Sequence, residues 1–257
     1  MPVLTDKRIL LTRARQHYPA LARMVERRGG MPLSLPCLAL QEMPESIASG
    51  FSLLDECSDL LFTSASGVAA VAGWLEARGA SLAEALRDKR IAVVGDKTAT
   101  ALQQRGVRAD IVPVTASQDG LIDAYQRAGL PSGLLFFRAE TGRDALAAAL
   151  LKQGVRVMTV PAYRTVCPQD HDAAAVIAML ERGAIDAVLL GSARTAAHYL
   201  QRIGSLQLAA RPVIVAISQS MAESVRALGL DVQVVAKQAS FEAMLDALAE
   251  YFNSGSE

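Results

Sequence analysis

Three segments of this chain each recur once, and they recur in the same order. Residues 9–36, ILLTRARQHYPALARMVERRGGMPLSLP, align with 134–161, LLFFRAETGRDALAAALLKQGVRVMTVP, so that Arg13 meets Arg138, Gly29 meets Gly154 and Pro36 meets Pro161, an offset of 125. Residues 59–68, DLLFTSASGV, are echoed by 186–195, DAVLLGSART. Residues 91–112, IAVVGDKTATALQQRGVRADIV, align with 214–235, IVAISQSMAESVRALGLDVQVV, at an offset of 123 that carries on to Ser117 and Ser240. The chain therefore reads A, B, C, A, B, C. A duplication on this scale restricts the fold to two similar halves before any single residue is considered.

Each unit has one grammar. Four to six apolar residues rich in Ile, Val and Leu read as a strand buried on both faces. A Ser, Thr, Gly or Arg comes next, and then an amphipathic helical pattern. Gly29, Gly79, Gly106, Gly154 and Gly229 stand where those helices should end, the position at which a left-handed residue closes a helix. Strand alternating with helix predicts parallel sheets wound by right-handed crossovers. The fold class expected is α/β, two Rossmann-like domains with parallel sheets, internally duplicated.

The 257 residues are enough for two such domains, and 51% hydrophobic with 20% charged is a globular composition. A net charge of zero argues against a general nucleic-acid binder, which needs a basic excess. No apolar run approaches the roughly 20 residues that span a bilayer, and no signal-peptide pattern opens the chain. The expectation is a cytoplasmic protein, with no membrane partner and a monomer by default. Cys37, Cys57 and Cys167 lack CxxC spacing and read as reduced structural thiols, and the three histidines form no metal-binding pattern. No GxGxxG comes after a strand, and GDKT at 95–98 lacks the spacing of a phosphate loop. No cofactor and no metal are expected.

Ligands of open α/β sheets bind beyond the carboxyl ends of the strands. The residues there include Arg13, Ser64, Gly95, Lys97, Thr98, Arg138, Arg143, Ser192, Arg194, Ser218 and Ser220. Helix N-capping is the ordinary role for Ser64, Thr98, Ser192 and Ser218. Taken together, helix N-termini, hydroxyls and cations suit an anion. Two such surfaces facing each other would make a cleft for a large polyanion. Tyr163, in PAYRTV, stands at a strand end, where a half-buried aromatic is ordinary.

The order strand-TR, DLLFTSASGV, IAVVGDKTATAL, strand-R-AETGR and VPAYRT, with degenerate second copies, resembles the uroporphyrinogen-III synthase family over nearly the whole chain. The resemblance implies two domains joined by a two-stranded β linker, with crossing strands near Leu33–Leu40 and Val157–Val166. It makes residues 1–36 plus 168–257 one domain and 37–167 the other, although the residues alone also allow two consecutive halves. It also implies domains hinged about the substrate. The family's substrate is hydroxymethylbilane, a linear tetrapyrrole with eight carboxylates. Its cyclisation with loss of water and inversion of ring D gives uroporphyrinogen III without cofactor or metal, in heme, siroheme and cobalamin biosynthesis. By the same resemblance, Tyr163 matches the family's proposed proton donor. Ser64 and Ser192 match its strand-end serines, and Thr98 matches the threonine of its first G-x-x-T-A element. In the second such element Ser218 replaces the Gly and Met221 the second Thr, which leaves Ser220 to supply a hydroxyl. The instability of the substrate leaves open a transient contact with the enzyme that makes it. Two readings from other classes stay open at this point: a hinged two-domain small-molecule binding protein, and a transferase acting on a phosphorylated or nucleotide-linked substrate.

Overall fold

A computed structural model describes residues 4–142 and 145–254. The first A segment forms β1 (Arg8–Leu11), α1 (Tyr18–Glu26) and β2 (Met31–Ser34). β3 (Ala39–Glu42) and α2 (Pro44–Phe51) lead to the first B segment, β4 (Asp59–Phe62) and α3 (Ala65–Glu76), and then to the short α4 (Leu82–Ala85). The first C segment is β5 (Arg90–Val93) and α5 (Asp96–Gln103), with α6 (Gln118–Ala128) after it. The second A segment gives β6 (Gly133–Ala139), α7 (Ala145–Lys152) and β7 (Arg156–Val166), and then comes α8 (Asp172–Glu181). The second B segment is β8 (Ala187–Leu190) and α9 (Ala193–Ile203), with α10 (Leu206–Ala209) after it. The second C segment is β9 (Val213–Ala216), α11 (Gln219–Ala227) and β10 (Val234–Val235), and α12 (Phe241–Ser254) closes the described chain.

The chain divides into two compact units, residues 1–39 plus 166–257 and residues 40–165. The first holds a sheet of order β10-β9-β8-β1-β2, and the second a sheet of order β3-β7-β6-β4-β5. β1 pairs in parallel with β2 and β8, β9 with β8 and β10, β4 with β5 and β6, and β6 with β7. A single parallel bridge from Ala92 to Ile111 stands beside β5 where β10 stands beside β9.

The duplication survives at the level of register. Ile9 pairs with Pro32 as Leu134 pairs with Val157, and Val215 pairs with Val234 as Ala92 pairs with Ile111. Ile9 also pairs with Ala187, whereas its counterpart Leu134 pairs with Asp59. The B strands therefore correspond at an offset of 128. The two aspartates that open DLLFTSASGV and DAVLLGSART are not equivalent, although they look so in the sequence. Asp59 is buried and receives Ser58 Oγ at 2.8 Å and Arg90 Nε at 2.7 Å. Asp186 accepts the Arg8 N–H at 2.8 Å beside β1.

Strand alternation distributes the core to both faces of each sheet. In the second unit Leu60, Phe62, Ile91, Val93, Leu135 and Phe137 pack with α3 and α5 on one face, and Leu61, Ala92, Leu134 and Phe136 pack with α6 and α7 on the other. In the first unit Leu10, Val188, Leu190 and Ile214 face α9 and α11, while Ile9, Leu11, Leu189 and Val215 face α1 and α12. α3 shows why these helices form. Ser64 caps it, Val68, Val71, Ala72 and Leu75 make one buried stripe, and Gly79 at φ 74° ends the helical turn beyond it. The other glycines expected at helix ends, Gly29, Gly106, Gly154 and Gly229, likewise have positive φ.

The first expected crossing strand takes a different form. β2 ends at Ser34 and β3 begins at Ala39, with Leu35, Pro36 and Cys37 buried between them. Pro36 has no N–H to give a ladder. Its carbonyl goes instead to the Arg202 guanidinium at 2.6 Å, and the Cys37 carbonyl lies 2.6 Å from His198 Nδ1. Cys37 and Cys57 are buried, Cys167 is half-buried and all three are free thiols. Burial pushes the Cys37 thiol up to about 12.

Candidate active site

β4 ends at Phe62 and β6 at Ala139, two neighbouring parallel strands whose carboxyl ends open onto the same edge. Thr63 and Ser64 leave the first, and Arg138 is the last residue but one of the second. β7 runs alongside β6 in register from Gly133↔Arg156 to Arg138↔Pro161, and then shifts so that Ala139 pairs with Tyr163. Such an irregularity re-aims a side chain. The Glu140 N–H bonds to the Tyr163 carbonyl at 2.8 Å and fixes the backbone after the shift.

The Tyr163 phenol oxygen then lies 2.9 Å from Ser64 Oγ. Ser64 also caps α3, accepting the Gly67 N–H at 3.1 Å. A Cβ on Gly67 would stand 3.4 Å from Ser64 Oγ and 3.8 Å from Tyr163 Cε1, so the ring passes close to a residue with no side chain. Beside this pair is a cavity of about 270 Å³ lined by Thr63, Gln118, Phe136, Arg138, Gly142 and Tyr163 among others. Arg138 is 7% exposed, with its guanidinium 5.5 Å from the Phe136 ring and Nε donating to the Ala139 carbonyl at 3.3 Å. A Cβ on Gly142 would come within 2.5 Å of Arg138 Nη2, so glycine there leaves room for the guanidinium.

Gly95 and Thr98 belong to the next strand over. Gly95 is the extended N-cap residue of α5 at φ −159° and uses no side chain. Thr98 is not a cap, contrary to its expected role. It lies within the first turn of α5 and is 4% exposed. Gly95 already takes the cap position, just beyond the end of β5 at Val93. The helix therefore carries the threonine side chain inward. GDKT is the start of a helix and not a phosphate-binding loop. Lys97 is exposed, and Arg143 lies outside the described residues.

The first unit repeats the arrangement with different side chains. Ser192 caps α9, accepting the Thr195 N–H at 3.2 Å, and its hydroxyl is 2.7 Å from Thr195 Oγ1. Ser218 caps α11 through the Met221 N–H at 3.3 Å. Met221 holds the position of Thr98 and is buried, while Ser220 holds the position of Lys97 and is exposed. Ser220 therefore does not stand in for the missing threonine. Arg13 is exposed, with its guanidinium 5.2 Å from the Phe241 ring. The same ring fills the space over Gly191, where a Cβ would meet Phe241 Cζ at 2.9 Å. This explains why Gly191 stands where a hydroxyl residue precedes the B-strand serine in the other copy.

The structure thus brings Ser64, Arg138 and Tyr163 into direct contact or around one cavity. Gly95 and Thr98 sit on an adjacent helix start in the same unit, and Arg13, Ser192, Ser218 and Ser220 lie at the equivalent edge of the other unit. Gln118 and Phe241 do not stand out in the sequence. Both come directly after capping serines, Ser117 and Ser240, and the alignment of that pair is the signal that points to them. Among the described residues no group of three or more His, Cys, Asp or Glu comes together. The chemistry available at this edge is a phenol, hydroxyls, a guanidinium and the positive ends of helices.

A family model described as uroporphyrinogen-III synthase HemD matches residues 19–246. The uroporphyrinogen-III synthase of Synechococcus elongatus is 31% identical over 206 residues, covering 79% of this chain and 76% of that protein. Among solved structures, a mutant uroporphyrinogen III synthase from Thermus thermophilus aligns with TM-score 0.54 at 20% identity over 97% of this chain and all of its own. The uroporphyrinogen-III synthetase of Helicobacter pylori aligns with TM-score 0.58 at 15% identity over 96% and 99%. The structural likenesses establish the shared fold, and the sequence matches reach over most of the duplicated pattern. The chain belongs to the uroporphyrinogen-III synthase family.

Proposed function

We propose that this enzyme closes hydroxymethylbilane into uroporphyrinogen III, with Tyr163 as the proton donor to the departing hydroxyl. The observation that carries the reading is the placement of the Tyr163 phenol. It stands at the carboxyl edge of a parallel sheet, against Ser64 and beside the Arg138 cavity.

The substrate supplies most of the reactivity. Its terminal hydroxymethyl group leaves as water once the oxygen gains a proton, and an azafulvene cation remains. Attack by the substituted carbon of ring D gives a spiro intermediate, which fragments and recloses with ring D inverted. Without a protein, closure gives the uninverted type I isomer. The catalyst must therefore provide a weak acid at one oxygen and hold one conformation of a flexible octa-anion. A phenol is a suitable weak acid. Backbone N–H groups at the starts of α3, α5, α9 and α11, together with Arg13 and Arg138, suit the carboxylates. Ser64, Gly95, Thr98, Ser192, Ser218 and Ser220 belong to the same two edges, and the serine caps among them keep their helix N-termini rigid.

Product analysis tests the proposal. Hydroxymethylbilane is generated in situ, the protein is added, and the products are oxidised and separated. Type III as the major isomer is the expected result. Type I alone, at the uncatalysed rate and with folded protein, would sink it.

A further inference from the structure

We propose that Ser64 acts in the reaction through Tyr163, by fixing the direction in which the phenol O–H points; this rests on the reading of Tyr163 as the proton donor. A serine hydroxyl has one proton to give and two sites to accept. At Ser64 one acceptor site is taken by the Gly67 N–H at 3.1 Å, and the Tyr163 oxygen is the other neighbour at 2.9 Å. Two arrangements satisfy that contact. In one, Tyr163 donates to Ser64 and its proton is turned away from any substrate. In the other, Ser64 donates to Tyr163 and the phenol proton is free to point outward.

The helix decides between them. Ser64 sits at the positive end of α3, where hydroxyl dipoles are favoured with their hydrogens directed away from the helix. The Gly67 N–H already donates to Ser64 Oγ, which polarises the Ser64 O–H and makes it the better donor. The favoured order is Gly67 N–H to Ser64 Oγ, Ser64 O–H to the Tyr163 oxygen, and Tyr163 O–H outward. When Tyr163 releases its proton to the leaving hydroxyl, the phenolate keeps the hydrogen bond from Ser64 and the same helix end. The equivalent cap in the other unit lacks this function. Ser192 Oγ is paired with Thr195 Oγ1, and the residue matching Tyr163 at the offset of 125 is Leu38.

Ser64 is therefore a positioning residue, and two substitutions separate that role from capping and from substrate contact. Aspartate caps as well as serine does, but its carboxylate only accepts and so draws the phenol proton inward. Glycine keeps an acceptable N-cap and removes the hydroxyl. Initial rates of type III formation are measured across substrate concentration for wild type, Ser64→Asp, Ser64→Gly, Tyr163→Phe and the double variants with Tyr163→Phe. Ser64→Asp should lose roughly tenfold or more in kcat, with little change in Tm. It should lose nothing further in the Tyr163→Phe background, because the two residues act as one unit. Ser64→Gly should lower kcat more than it changes KM, since the phenol loses the donor that orients it. An equal loss from Ser64→Asp with and without the Tyr163 hydroxyl would overturn the proposal and assign Ser64 to direct substrate contact. Full activity of both Ser64 variants beside an impaired Tyr163→Phe would overturn it as well, leaving the donor role intact. Wild-type turnover by Tyr163→Phe would instead remove the donor role itself.

Discussion

Asp170 shows how much one carboxylate can hold in place. Its side chain accepts the Arg202 guanidinium, lies 3.4 Å from Arg15 Nη2 and receives the Asp172 N–H at 3.3 Å. Arg202 in turn donates to the Pro36 carbonyl. Burial works against the charged form of Asp170, but the Arg202 hydrogen bond and charge outweigh it and hold the carboxyl below its ordinary value. A depressed folded pKa means stability that is present above the unfolded value and lost as pH falls through the folded one. Asp170→Asn should therefore be less stable than wild type in urea at pH 7, and the two should converge below about pH 4, where the wild-type carboxyl also protonates. A gap that stays constant down to about pH 2 would show that charge has no part in it. At this scale the sequence is legible where a serine stands directly before an apolar-periodic run, as at Ser64, Ser192 and Ser218. It misleads at Thr98, where a glycine has already taken the cap. Arg28 reads as one of a solvated row of arginines, yet it is mostly buried against Asp246 at 2.7 Å, a partner 218 residues away that local spacing does not reveal.

Elements are easiest to read where a strand runs straight into a helix. α6 is harder because it opens after the loop beyond Ile111, and Gln118 at its start escapes notice for that reason. Gly120 in its first turn carries a constraint that the sequence does not show. A Cβ there would stand 2.3 Å from the Thr115 carbonyl oxygen, which is backbone and cannot swing aside. Alanine ordinarily favours a helix over glycine by about 1 kcal/mol. Here the clash should reverse that preference, and Gly120→Ala should lower Tm by several degrees, for a net loss of about 1–2 kcal/mol. A Tm at or above wild type would mean the loop before α6 can yield. The crossing strand expected over Leu33–Leu40 fails for a related reason. Apolar pattern continues through Leu35 and Cys37, whose N–H groups still donate to the Leu11 and Thr12 carbonyls, but side chains of α9 take the Pro36 and Cys37 carbonyls, so that only one side of the segment is paired as a strand.

At the scale of the molecule, each of the four packed clusters of buried apolar residues found among the described residues lies within one unit. Leu60 is fully buried in one of them. Leu60→Ala should cost about 2–5 kcal/mol, and the cost should be local. Amides of β4, β5 and β6 should exchange faster, while those of β1, β8 and β9 keep their protection. Equal acceleration in both sheets would show that the two units unfold as one. The topology is legible because duplication states it twice, and two weak patterns in register carry more than one strong motif. The B-strand offset is not legible, because two aspartates out of phase imitate a match.

The slip after Arg138 gives the duplication its direction. Side chains of a strand alternate between faces, so a shift of one residue exchanges them. Without it Ala162 would face Ala139, and Tyr163 would take the other side of the sheet. A gene copied in tandem starts with two interchangeable edges, whereas inverting one ring of four requires a protein that can tell one end of its substrate from the other. One extra residue in a ladder is enough to make the two copies different, and ancestral reconstructions of this family should find the slip and the tyrosine arriving together.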